Sequence, residues 1–163
     1  MRIPLLVAMF CAALPARAQQ AVFLVRHAEK ADASKDPVLS SKGQARARAL
    51  STLLRDAGIT AIWATDLRRT QLTAQPLAKL KKLEVRVHAA KDISGLVAEV
   101  RRMAANGKAL VVGHSNTLPE IAAALGVRER IEIADDEYDA LLVVVPEPGG
   151  GARLLRLRQP DPN

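Results

Sequence analysis

Two histidines stand where apolar runs end. "AVFLVRH" closes on Arg26 and His27, and "ALVVGH" closes on Gly113 and His114. A neutral imidazole, with an ordinary pKa of about 6.5, is a nucleophile near neutral pH. A guanidinium offers a planar fork of donors matched to phosphate oxygens. A third stretch, "WATDLRRTQLTA" at 63–74, puts Arg68 and Arg69 in what reads as the first turn of a helix. Cations there oppose the helix dipole by about a few tenths of a kcal/mol each, and an anion bound at that end reverses the sign. Arg68 reads as a solvated residue and Arg69 as a ligand. Together these positions suit phosphoryl chemistry: His27 as the nucleophile, with Arg26, Arg69 and His114 on the phosphoryl oxygens. Either histidine alone can also be read as a structural residue: His27 as a satisfied histidine beside a surface arginine, His114 as a capping or buried one. What favours a site is that two separate strands each end on one. His88 lies inside an alternating stretch with no companion motif and reads as structural.

The elements that must carry these residues alternate along the chain. "AVFLV" is short, continuous and apolar, as a buried strand is. "SSKGQARARALSTLLRDAG" reads as a helix, with Ser41 and Gln44 as a capping box and Gly58 as a stop. "ITAIWAT" is a second strand, "LRRTQLTAQPLAKLKK" a second helix bent at Pro76, and "EVRVHA" a third strand. "SGLVAEVRRMAANG" is a third helix and "KALVVGH" a fourth strand. "NTLPEIAAALG" is a short helix capped by Asn116 or Thr117. "DALLVVVPEPGGGARLLRLRQ" reads as a hairpin, and "QPDPN" as a frayed end. The predicted fold class is α/β: a three-layer α/β/α sandwich, with a mainly parallel doubly wound sheet and an antiparallel C-terminal hairpin. Such sheets bind ligands at the carboxyl ends of their strands, where both histidine motifs fall.

The first residues read as a leader rather than as part of this sandwich. Arg2 precedes "IPLLVAMFCAAL", which is too short to span a bilayer comfortably, and "ARA" at 16–18 is a cleavage pattern. The expected division is a signal peptide over 1–18 and a single domain over 19–163, located in the periplasm or secreted. Arg2 and Arg17 leave with the leader and no acid does, so the net charge falls from +7 to +5. Cys11, the single cysteine, leaves too, so no disulfide or thiol chemistry remains. No later stretch is long and apolar enough for membrane insertion. The basic balance favours an anionic partner. Nucleic acid is a poor fit, because the cations are scattered and aromatics make up only 2% of the chain.

These motifs, in this order, make the chain similar to the histidine phosphatase superfamily, with its phosphoglycerate-mutase-like fold, in the phosphatase branch. "LVRHAEK" resembles its R-H-G signature, "LSSKG" its helix start, "ATDLRRTQLTA" its arginine motif with the arginine at Arg69, and "VVGHSNT" its second histidine motif. The matches span residues 22–117. The compact length is similar to small members without an inserted lid. The resemblance implies a phosphohistidine on His27, with Arg26, Arg69 and His114 binding phosphate, water as the second nucleophile, and no metal or other cofactor.

Three positions depart from the family pattern. Ala28 replaces a glycine, and Thr65 stands where serine is common. A proton donor for the leaving group has no motif. Asp92, just after the third strand, is the first candidate and Glu29 the second. The expected function is an exported phosphomonoesterase acting on a small phosphorylated substrate. The alternatives are a non-catalytic phosphate-binding module on the same fold, or a phosphoglycerate-type mutase.

Overall fold

The computed structural model describes residues 20–162 apart from 104 and 149. The expected leader over 1–18, with Cys11, lies outside the described residues. Ten elements follow one another: β1 (Ala21–Arg26), α1 (Ser41–Leu53), β2 (Ala61–Thr65), α2 (Arg68–Lys81), β3 (Val85–His88), α3 (Ile93–Arg101), β4 (Lys108–Gly113), α4 (Thr117–Ala124), β5 (Ala140–Pro146) and β6 (Ala152–Arg158). The strands form one sheet in the order β3-β2-β4-β1-β5-β6. The β1/β4, β2/β4 and β2/β3 pairs are parallel. The β1/β5 and β5/β6 pairs are antiparallel. This is the α/β sandwich with an antiparallel C-terminal pair that the alternating pattern implies.

Alternate residues of the central strands feed two cores, one on each side of the sheet, because side chains of a strand alternate between faces. On one side Val22, Leu24, Trp63 and Val111 pack with Leu96, Val97 and Val100 of α3 and with Leu118 and Ile121 of α4. On the other, Val25, Ile62, Leu110 and Val112 pack with Leu50 of α1 and with Ala74, Leu77 and Ala78 of α2. The continuous apolar runs of β1, β2 and β4 follow from this burial on both faces.

Helix ends differ from the expected ones in detail. Ser40, not Ser41, caps α1, its hydroxyl accepting from the Gly43 N–H at 3.0 Å. The helix ends at Leu53, five residues before Gly58, and Gly58 instead supplies a left-handed turn (φ 75°) into β2. Pro76 lies inside α2. Asn116 occupies the cap position of α4 but makes no capping hydrogen bond with its side chain. The tail is not frayed at its start. Gln159 is 5% exposed, its backbone N–H donates to Asp139 O at 2.7 Å, and its amide donates to the carbonyls of Tyr138 and Ala140.

Candidate active site

The site grows from the adjacency of β1 and β4. Their parallel register pairs Arg26 with Gly113, and the His27 N–H extends it by donating to Gly113 O at 2.9 Å. The next residue of each chain segment is a histidine. The two rings end 5.4 Å apart between centroids, edge to face at 61°. His27 is 4% exposed and His114 8%. The sheet order therefore brings together two residues far apart in the chain. Arg69, in the first turn of α2, comes to the same place from the β2 side. Arg26, His27, Arg69 and His114 line one hollow of about 580 Å³.

Each ring has a fixed partner. His27 Nδ1 is 2.8 Å from the carbonyl oxygen of Ala28, an acceptor only, so Nδ1 carries the hydrogen and Nε2 keeps its lone pair. His114 Nε2 is 3.0 Å from Thr65 Oγ1, and Thr65 Oγ1 is 2.8 Å from Thr70 Oγ1. Both imidazoles are held far below their ordinary pKa, at about 4. Burial is the first cause for each. Positive charge on Arg26 and Arg69 adds to it, and so does His114 in the case of His27. Both rings are therefore neutral at pH 7.

Arg26 is clamped from outside the hollow. Its Nη1 donates to Ala134 O at 3.0 Å and Glu137 O at 3.4 Å, and the Tyr138 ring lies 4.3 Å from its guanidinium carbon. Its Nε, like that of Arg69, is buried with no hydrogen-bond partner. An unpaired buried donor costs about 1–3 kcal/mol. Both side chains line the hollow, so a tetrahedral oxyanion there would lie between two guanidiniums.

The floor is built by threonines. The Ala28 N–H donates to Thr73 Oγ1 at 2.9 Å, and the Thr73 hydroxyl donates to Arg69 O at 2.7 Å, tying the turn after His27 to the helix that carries Arg69. Ala28 is fully buried against Leu39 and Ala47. Among the described non-glycine residues only Lys82 has positive φ, so the turn at Ala28 needs no glycine.

Neither expected proton donor reaches the hollow. Asp92 is the N-cap of α3, accepting from the Gly95 N–H at 3.0 Å, with His88 Nδ1 3.6 Å from its other oxygen. The Gly95 bond, then His88, hold its carboxyl below the usual range. It is an ionised cap, which is what an Asp three residues before a glycine N–H on a helix start favours. Glu29 turns to Arg46, which reaches it from α1 through Nε at 3.0 Å and Nη2 at 2.7 Å. Burial pushes the Glu29 carboxyl up, but the Arg46 hydrogen bonds and charge outweigh it and hold it low. The carboxylate that does line the hollow is Glu120 in the first turn of α4, with Lys30 and Lys91 also lining it. Arg68 is exposed and lies outside it. His88 sits between Asp92 and Glu99.

Sequence reasoning noted Thr65 only as a departure from the family pattern, and passed over Thr70, Thr73, Tyr138 and Glu120. Thr70 and Thr73 carried a usable signal: their i,i+3 spacing puts both on the helix face that meets the sheet. Tyr138 carried none, since its acidic loop has no periodicity. Among the described residues no three His, Cys, Asp or Glu side chains form a group that could hold a metal ion. No helix among them is long and apolar enough to cross a membrane.

Residues 22–92 match the histidine phosphatase superfamily (branch 1). No curated protein sequence matches the chain. Solved structures do share its fold. The protein histidine phosphatase SixA, complexed with tungstate, superposes with a TM-score of 0.69 at 17% identity, covering 85% of this chain and 96% of that one. A mycobacterial glucosyl-3-phosphoglycerate phosphatase gives 0.68 at 16% identity over 85% and 97%. The alpha-ribazole phosphatase of Shigella flexneri gives 0.66 at 17% identity over 85% and 96%.

Proposed function

We propose that the chain, which residues 22–92 place in the histidine phosphatase superfamily, is a phosphomonoesterase that works through a phosphohistidine on His27. The observation that carries this reading is the convergence of two guanidinium side chains and two neutral imidazoles on one hollow. His27 Nε2 holds the free lone pair, oriented by the Nδ1–H bond to Ala28 O. It attacks phosphorus in line, and the ester oxygen leaves. Arg26, Arg69 and His114 hold the equatorial oxygens and stabilise the charge spread over them in the transition state. Water then attacks phosphohistidine and releases inorganic phosphate. Burial supports the step twice. It keeps His27 unprotonated, and it strengthens the guanidinium–phosphoryl attraction by excluding water.

The test is turnover of p-nitrophenyl phosphate by the purified protein, with and without metal chelator. Turnover should be abolished in His27→Ala and inhibited by vanadate, which mimics five-coordinate phosphorus. Trapping acid-labile phosphate on His27 during turnover completes it. Binding of vanadate without turnover by the wild type would leave a phosphate-binding module instead. Export rests on the apolar leader and the Ala16–Ala18 pattern. Amino-terminal sequencing of the protein recovered from outside the cytoplasm should begin at Gln19.

A further inference from the structure

The hydroxyl pair behind His114 decides which of its nitrogens carries hydrogen. Thr70 Oγ1 has one hydrogen and three oxygens in reach: Leu67 O at 2.7 Å, Thr65 O at 3.0 Å and Thr65 Oγ1 at 2.8 Å. Carbonyls donate nothing, so a 2.7 Å contact needs the Thr70 hydrogen on the carbonyl side. The hydrogen between the two hydroxyls is then the one on Thr65. With that hydrogen committed, Thr65 can only accept from His114 Nε2. Thr65 is 5% exposed and Thr70 fully buried, which leaves little room for water to reverse the chain.

A neutral imidazole with hydrogen on Nε2 has a bare lone pair on Nδ1. Nδ1 is the ring nitrogen of His114 with no protein partner among the described residues. His27 also offers a lone pair, on Nε2. The hollow thus combines two guanidiniums with two lone pairs. One lone pair must stay free to attack phosphorus. The other repels an oxyanion unless a proton lies between them.

We propose that oxyanion binding in this hollow is coupled to one proton, held between His114 Nδ1 and a phosphoryl oxygen, and that Thr65 is the positioning residue that enforces the coupling. This rests on the reading of the hollow as a phosphoryl site and specifies the ionic form it takes. A dianionic ester binds together with one solvent proton, or a monoanionic ester brings its own, and no covalent bond changes in this step. The groups that bear on that proton come from every side. Arg69 on α2 and Arg26 on β1 oppose it, and an anion between them would offset their charge. Asp66, in the β2–α2 turn, favours it. His27 stands 5.4 Å away, and Lys30, Lys91 and Glu120 line the same hollow.

The probe is sulfate, a tetrahedral dianion with no hydroxyl of its own, followed by 15N NMR of the imidazoles. Without sulfate, His114 should be protonated on Nε2 alone. With saturating sulfate near pH 6.5 it should be protonated on both nitrogens, while His27 keeps only its Nδ1–H. Between the pKa of His114 without sulfate, about 4, and its raised pKa in the complex, sulfate affinity should fall about tenfold per pH unit, as linkage to one proton requires, and level off above the pKa of the complex. Thr65→Val frees His114 to place its hydrogen on Nδ1, and the pH dependence should flatten to about twofold or less per unit. Thr65→Ser restores the hydroxyl and should restore the slope. Sulfate binding with pH-independent affinity, a neutral His114 bearing Nδ1–H, or a proton on His27 instead would overturn the inference while leaving phosphatase turnover intact. Failure of both sulfate and vanadate to bind, with no ester turnover, would remove the phosphoryl site and this inference with it.

Discussion

Burial of the two imidazoles makes the folded state sensitive to mild acid. In the unfolded chain each histidine takes up a proton as pH falls through about 6.5. In the folded chain His27 and His114 resist protonation until about pH 4. The unfolded state therefore binds more protons between these limits. The stabilisation is fully present above pH 6.5 and is lost as pH falls toward 4. At pH 5 almost every unfolded copy carries the proton and few folded copies do, so each histidine forfeits about 2 kcal/mol relative to pH 7.5. For a domain with about 5–15 kcal/mol of total stability this is a large share. The assay is urea unfolding of wild type and His27→Gln at pH 7.5 and pH 5. Carboxylates such as Glu29 and Asp92 titrate alike in both proteins and cancel in the difference. Wild type should lose about 2 kcal/mol more than the variant between the two pH values. The effect of removing both histidines should be smaller than the sum of the two single effects, because His114 is itself a cause of the His27 shift. Equal losses in wild type and His27→Gln would refute the claim that His27 is desolvated beside two cations.

Other outcomes follow from the same geometry. Arg69→Ala removes a guanidinium whose Nε has no protein partner. It should lower kcat by about 10²–10³-fold, the loss of roughly 2.7–4 kcal/mol typical of an oxyanion donor, with little change in the urea midpoint. Glu29→Gln leaves the buried Arg46 guanidinium with only the exposed Asp161 carboxylate, 3.5 Å away, as a charge partner. It should destabilise the fold by roughly 3 kcal/mol in urea while sparing turnover per folded molecule, as expected for a broken ion pair that lies outside the hollow. In Gly43→Ala the added methyl would land on the Glu29 carbonyl oxygen, which cannot move without shifting the turn after His27. The expected cost is about 1–3 kcal/mol, read as a lowered Tm.

Much of this was local enough to be read along the chain. Strand and helix types follow from the period of the apolar residues, and the ends of β1 and β4 at Arg26 and Gly113 follow from where the apolar runs stop. That a histidine stands at each of those ends is written in the sequence itself. What it could not contain was the neighbour relation. Only the sheet order places β4 beside β1, with Arg26 level with Gly113, and a one-residue change of register would have turned side chains to the other face. The same limit explains Glu29, while Asp92 was taken by a local helix cap. Each stands close in sequence to the right sheet edge, yet the Gly95 N–H captured one and Arg46 the other. The Arg46 donor lies on another element, whereas the Gly95 N–H lies three residues downstream, in the first turn of the helix that Asp92 caps. The Thr65–His114 contact and the Tyr138 clamp on Arg26 belong with the Glu29–Arg46 pair as contacts between distant segments. Periodicity decides what a segment becomes because it acts between residues a few positions apart. Hydrogen-bond partners and pKa values are decided by distances of a few ångströms between segments scores of residues apart, and only the folded sheet sets those.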